Sequence, residues 1–198
     1  AWGWANINGA PWINAPAKAV VYEAHIYLDN NRSGQYTQTY AQEEAADVAG
    51  GWLSLPARVK ADVSVFLNWL AQYKVRGVIG EIGWPSDTDP DEWNAVAEMV
   101  YTMLDKAGVG VTYWSAGEFS SGTAPGGRYE LDLYDRTNMV PQTQANVVEA
   151  ARHMSMPGTI IGPVQAAELA PKVKPRGVWD FAVAPTVLGQ ALGGGSTP

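Results

Sequence analysis

The sequence contains no cysteine. A disulfide framework, a thiolate metal site and a thiol nucleophile are thereby excluded, and the redox compartment is left open. Basic residues are few: 13 Lys and Arg stand against 20 Asp and Glu in 198 residues, a formal net charge of −7. No cluster of them exists to neutralise phosphates, which argues against nucleic acid as a partner and favours neutral or cationic ligands. Long apolar runs are also missing. None approaches the ~20 residues of a spanning helix, so no integral membrane segment is expected. The start, AWGWAN, has neither an initiator Met nor a charged-then-apolar leader, and predicts processing or truncation. Phe is scarce, with three residues against nine Trp and nine Tyr. Trp and Tyr join a flat apolar face to a polar handle, which suits the C–H faces and hydroxyl edges of sugars, and equally any half-buried rim. With 46% hydrophobic and 17% charged residues, one globular core is expected.

Short apolar runs alternate with helical patterns. In residues 17–29, AKAVVYEAHIYLD, a period of two puts Val21, Glu23, His25 and Tyr27 on one face of a strand. A helix follows from the N-cap Ser54 to Tyr73, with Pro56 in its first turn and Val59, Val63, Phe66, Leu67 and Leu70 as its buried stripe. VRGVIGEIGW reads as the second strand. Asp89, Pro90 and Glu92 predict a capping box that opens a helix, with Trp93, Val96, Val100, Met103 and Leu104 buried and Gly108 at its end. GVGVTYWSAGEF reads as a third strand, and residues 145–154 as a last helix. This alternation predicts an α/β fold with parallel strands. Each strand carries its polar residues at the C-terminal end, where ligands bind in such folds: His25 and Tyr27, then Glu81, then Trp114 and Ser115. Counting back in twos from Glu81 and Trp114 places Gly77 and Gly110 on the inward face as well.

Taken in order, VVYEAHIYLDNNRSGQY, GVIGEIGWP and VTYWSAGEF resemble the second half of glycoside hydrolase family 5, the cellulase-like retaining glycosidases, and most of all its endo-β-1,4-glucanase branch. The resemblance covers roughly residues 1–152. It implies the C-terminal half, strands five to eight, of a (β/α)8 TIM barrel, followed by a Pro/Gly-rich extension. The domain boundaries expected are 1–156 for the barrel part and 157–198 for a linker or the start of a further module. By the same resemblance, Glu81 is the catalytic nucleophile, His25 and Tyr27 match the family's His-x-Tyr pair, and Trp114 floors a sugar subsite. GWANINGAPW, with Trp4, looks like the loop after the fifth strand. Trp84, in the Trp-Pro turn beyond Glu81, joins Trp4 as a candidate substrate contact.

The chemistry is consistent with those roles. A retaining glycosidase needs one carboxylate to attack the anomeric carbon and a second carboxyl ~5 Å away to donate and recover a proton. To stay ionised at a strand tip Glu81 needs hydrogen-bond donors; Tyr27 can give its hydroxyl, while His25 suits a substrate hydroxyl or the orienting of a neighbour. The family's acid/base Glu follows an Asn on an earlier strand, and no Asn-Glu-Pro-like motif occurs in this sequence. That acid/base is therefore expected outside the chain, on the remaining N-terminal barrel half, in the same polypeptide or another, since four strands cannot close a barrel.

Plainer roles remain open for the same residues. Glu81 could be a structural carboxylate paired with Arg76 or Arg128, His25 and Trp114 could fill the core, and Glu23 could serve a buried hydrogen bond or ion pair. Glu118 is a loop carboxyl near the third strand. Residues 29–33, DNNRS, lack the spaced acidic ligands of a calcium loop. His153 fits a helix C-terminus. No metal or organic cofactor is required. Two functions follow: hydrolysis of a β-linked glucan or related polysaccharide, or a non-catalytic glycan-binding or structural module that keeps the fold. Either suits an extracellular protein or part of a virion.

Overall fold

The computed structural model describes residues 9–11, 13, 19–116, 129–135 and 140–151. Within them the order is β1 (Val21–Tyr27), α1 (Tyr40–Ala49), α2 (Leu55–Tyr73), β2 (Arg76–Gly83), α3 (Pro90–Lys106), β3 (Gly110–Tyr113), β4 (Tyr134–Asp135), β5 (Val140–Pro141) and α4 (Gln144–Ala151). The first three strands form a parallel sheet in the order β1-β2-β3, and β4 and β5 form a small antiparallel pair. The expected strand order and parallel pairing are thus present for three strands. Trp4 and most of the loop around it, Glu118, Arg128, His153 and the extension 157–198 lie outside the described residues.

The side-chain period builds this sheet. In β1, Tyr22, Ala24 and Ile26 are buried against the helices, and Val21, Glu23, His25 and Tyr27 take the other face. Helix α2 starts where expected: the Ser54 hydroxyl accepts from Ala57 N at 3.3 Å, and Leu55, Val59, Val63, Phe66 and Leu70 recur at helical spacing as its buried side. Replacing Ser54 by Ala orphans that N–H and is expected to lower stability by about 1 kcal/mol in urea denaturation. Helix α3 buries Trp93, Val96, Val100 and Leu104 in the same core.

Three details depart from the sequence reading. Helix α1 was not anticipated; a Thr39–Gln42 capping box opens it, and its buried residues are Glu43 and Asp47 rather than an apolar stripe. Asp89 precedes α3 but makes no cap to it. Its backbone is left-handed, at φ 46°, and its carboxylate instead accepts from Tyr40 N at 2.8 Å, capping the start of α1. Gly77 does not face inward, because a Cβ there would run into Leu70 and Phe66 on α2. The cause is a β-bulge: Ala24 pairs with Ile79 but His25 with Glu81, and against β3 Ile79 pairs with Val111 but Ile82 with Tyr113. Gly80 is the extra residue. One inserted residue inverts the alternation, so Glu81 leaves the face of Gly77 and Ile79 and joins the face of His25 and Tyr27.

A buried ionic group supports the loop after β1. Arg58, 1% exposed, donates through Nε to both oxygens of Asp47 at 2.9 Å, through Nη1 to Asp62 at 3.1 Å and through Nη2 to Leu28 O at 2.5 Å. Arg32, in the loop, forms a two-pronged pair with Asp62 at 2.7 and 3.0 Å. Asn30 donates to Asp47 at 2.7 Å and, from its backbone, to Glu43 at 2.6 Å. The charged faces of α1 and α2 are therefore inward-facing anchors for residues 28–32, the segment that follows Tyr27.

Candidate active site

The tips of β1 and β2 bring four polar side chains together. Tyr27 donates its hydroxyl to Glu81 Oε2 at 2.8 Å. His25 Nδ1 lies 3.2 Å from the same oxygen, and its Nε2 lies 3.0 Å from Glu23 Oε1. Both neighbours approach Oε2, so among the described residues Oε1 of Glu81 is left without a hydrogen bond. Glu81 is 28% exposed and His25 32%, half-buried groups at the rim of the sheet. Arg76 stands at the opposite end of β2 from Glu81.

Burial, and then the hydrogen bond to Glu81, push the Tyr27 phenol far above its ordinary range. It therefore remains a protonated donor to the carboxylate throughout the neutral range. The ring is held from the other side by the loop. Gly34, at φ 74°, passes so close that a Cβ would sit 2.6 to 2.9 Å from the Tyr27 ring. The Asp29 carboxylate fixes that passage by accepting from the Ser33 hydroxyl at 2.8 Å and from Gly34 N at 3.0 Å. In residues 29–33 this carboxylate thus serves the turn, and no group of three His, Cys, Asp or Glu among the described residues is placed to hold a metal ion. Tyr36 ties the two strand tips: its hydroxyl donates to Gly83 O at 2.5 Å and accepts from Leu28 N at 2.8 Å.

Trp114 directly follows β3, half-buried, with its N–H on Ile82 O at 2.7 Å. Its indole N–H donates to the Tyr129 hydroxyl, which partly offsets the upward push of burial on that phenol. Glu81 and Tyr27 lie within electrostatic reach of Tyr129. Tyr129 is thus a member of the site that the sequence reading missed. It follows the Gly- and Pro-rich stretch SGTAPGGR, and no periodic pattern marks it. Glu23, assigned to a buried hydrogen bond or ion pair, does bond to His25 but is 58% exposed. Trp84 is the clear exception among the candidates. It is fully buried, donates its N–H to Asn94 Oδ1 at 2.8 Å and packs edge-on against Tyr113, so no face is open to a ligand. An open hollow of about 660 Å³ lies at the far end of the sheet, beside Val21, Arg76 and Gly110, and no carboxylate lines it. The strand tips, not this hollow, carry the reactive groups.

No protein-family model matches the chain, and no curated protein matches it significantly. Among solved structures it is similar to the endoglucanase Cel5A of Pseudomonas stutzeri in complex with cellobiose, at 26% identity and a TM-score of 0.54, over 82% of this chain and 43% of that one. A second structure of that enzyme matches at 24% identity with the same TM-score and coverage. An endo-beta-1,4-glucanase of Xanthomonas axonopodis pv. citri matches at 22% identity and a TM-score of 0.47, over 71% of this chain and 39% of that one. The chain spans less than half the length of these endoglucanase chains. Its parallel sheet and helices are part of an endoglucanase-like α/β fold.

Proposed function

We propose that this chain supplies the nucleophile side of a retaining glycoside hydrolase that acts on a β-linked glucan. The observation that carries the reading is the convergence on Glu81 Oε2 of the Tyr27 hydroxyl and the His25 ring, with Oε1 left open. One oxygen is held and the other is available to attack an anomeric carbon. The likeness to an endoglucanase solved with cellobiose supports a substrate of β-linked glucose units. Trp114 offers its indole face to a sugar ring, and Tyr129 fixes the indole's edge.

In this mechanism Glu81 Oε1 attacks the anomeric carbon while the acid/base carboxyl protonates the departing glycosidic oxygen; water then cleaves the glycosyl ester with that carboxyl as base. The acid/base lies outside residues 1–198, on the remaining barrel strands, ~5 Å from Glu81. The Tyr27 bond to Oε2 weakens as charge leaves Glu81 and strengthens again as the ester is cleaved. A polysaccharide substrate too large to enter a cell places the activity outside it.

The stereochemistry of the first-formed product tests the mechanism. In the polypeptide that joins this chain to the remaining strands, proton NMR of cello-oligosaccharide hydrolysis should show the β-anomer first. An initial α-anomer would require inversion and would remove the nucleophile role from Glu81. A second expectation concerns the loop. In Gly34→Ala the new methyl pushes the Tyr27 ring away from Glu81, and left-handed backbone at a non-glycine costs about 1 kcal/mol of stability. Losing one hydrogen bond to a charged group should lower kcat by about tenfold or more, as Tyr27→Phe should, with KM much less affected; steady-state kinetics on both variants checks this.

A further inference from the structure

The imidazole of His25 sits between two carboxylates, and the second of them, Glu23, has no part in the mechanism above. We propose that Glu23 is a positioning residue that acts through His25 on Glu81, and that the bulge at Gly80 provides the space its carboxylate occupies. The inference rests on the reading of Glu81 as nucleophile for its functional consequence, and on geometry alone for the linkage.

The two ring nitrogens face oxygen acceptors on both sides: Nε2 is 3.0 Å from Glu23 Oε1 and Nδ1 is 3.2 Å from Glu81 Oε2. A neutral imidazole has one N–H and one lone pair, so it can donate to one carboxylate and must turn a lone pair toward the other. Only the imidazolium donates to both. Among the described residues, Glu23 is the partner of Nε2. The other titratable groups facing this set are Tyr27 on β1, which donates to Glu81, Tyr129 from the segment 129–135, within electrostatic reach of Glu81, and Asp29, within reach of Tyr27. None of them takes the place of Glu23 at Nε2. With Glu23 bonded to Nε2, the ring is held with Nδ1 3.2 Å from the nucleophile's Oε2. Without that bond, the ring is free to rotate.

Gly80 supplies the independent observation. A Cβ at this position would collide with the Glu23 carboxylate itself. The residue that inverts the strand's alternation to bring Glu81 into the cleft is therefore also the one whose missing side chain admits Glu23. A glycine at the extra position of the bulge serves both ends of the Glu23–His25–Glu81 line.

The test uses the whole chain labelled with ¹⁵N-histidine. The sequence has two histidines, so a His153→Gln background assigns the His25 signals. The Nε2 signal reports the bond to Glu23, and the Nδ1 signal reports the contact with Glu81. Glu23→Gln, which keeps the size and loses the charge, is expected to shift both ring ¹⁵N signals from those of the parent at the same pH. Gly80→Ala changes no polar group, yet should shift them in the same direction by dislodging the carboxylate. Coincident His25 ring signals in the parent and both variants would overturn the proposal. In the polypeptide that includes the remaining strands, kcat/KM of Glu23→Gln should fall about tenfold, carried by kcat rather than KM. The functional reading fails separately: activity that survives Glu81→Ala would sink it while the NMR shift stood. Loss of activity in Glu81→Ala with unmoved His25 ring signals in Glu23→Gln and Gly80→Ala would sink the positioning role alone.

Discussion

Glu81→Ala is expected to cut kcat on an aryl β-cellobioside by about ten-thousandfold or more, the scale on which removing a nucleophile that works as part of a unit is felt. The reason is structural as much as chemical. Oε1 is the open oxygen, among the described residues, of a carboxylate whose other oxygen is held by Tyr27 and approached by His25. Alanine also leaves a space at the β2 tip large enough for a small anion. Azide added to the variant should enter it, displace the aryl group directly and yield the α-glycosyl azide, with recovery of turnover. The Tyr27→Phe variant should behave differently: it retains the nucleophile, loses one hydrogen bond and gains nothing from azide. Equal responses of the two variants to azide would show that Glu81 acts by some route other than attack.

The largest effect on stability is expected at Arg58. Its guanidinium is 1% exposed and bonds to Asp47, which is 0% exposed, to Asp62 and to Leu28 O. Arg58→Met fills most of the volume but leaves the Asp47 carboxylate buried with no cation and Leu28 O without its guanidinium donor. Breaking a buried pair in this way costs about 3–5 kcal/mol. Urea denaturation of the parent and the variant measures it. Removing the stranded charge should restore part of the loss, so Arg58→Met with Asp47→Leu is expected to be more stable than Arg58→Met alone, a coupling that a double-mutant cycle isolates. The two predictions are connected, because the Arg58 group anchors residues 28–32 and these lead into Gly34, which holds the Tyr27 ring.

Helices α2 and α3 were legible in the sequence because their buried residues follow one period and their boundaries carry Ser54, Pro56, Pro90 and Gly108. The same logic hides α1. Its inward face is Glu43 and Asp47, whose partners Asn30 and Arg58 come from other elements, so no apolar stripe exists to be read. Only the Thr39–Gln42 spacing of a capping box announced it. The placement of Glu81, His25 and Tyr27 at strand ends facing inward was readable, but the side taken by Gly77 was not. Strict alternation back from Glu81 puts Gly77 on the inward face, and the pairing shift at Gly80 reverses this without any signature beyond an extra glycine. Trp84 shows the opposite limit. A Trp-Pro turn beside a strand tip reads as a cleft wall, yet its indole is committed to Asn94 on α3 and to Tyr113 on β3, long-range partners that local sequence does not reveal.

Covalent labelling reaches the central claim most directly. The polypeptide that carries this chain with the remaining strands, incubated with an activated 2-deoxy-2-fluoro-β-cellobioside, should gain the mass of one fluoroglycosyl group, and tandem mass spectrometry of the digest should place it on Glu81. Label on a different carboxylate, in a protein that turns over the unmodified substrate, would contradict the assignment.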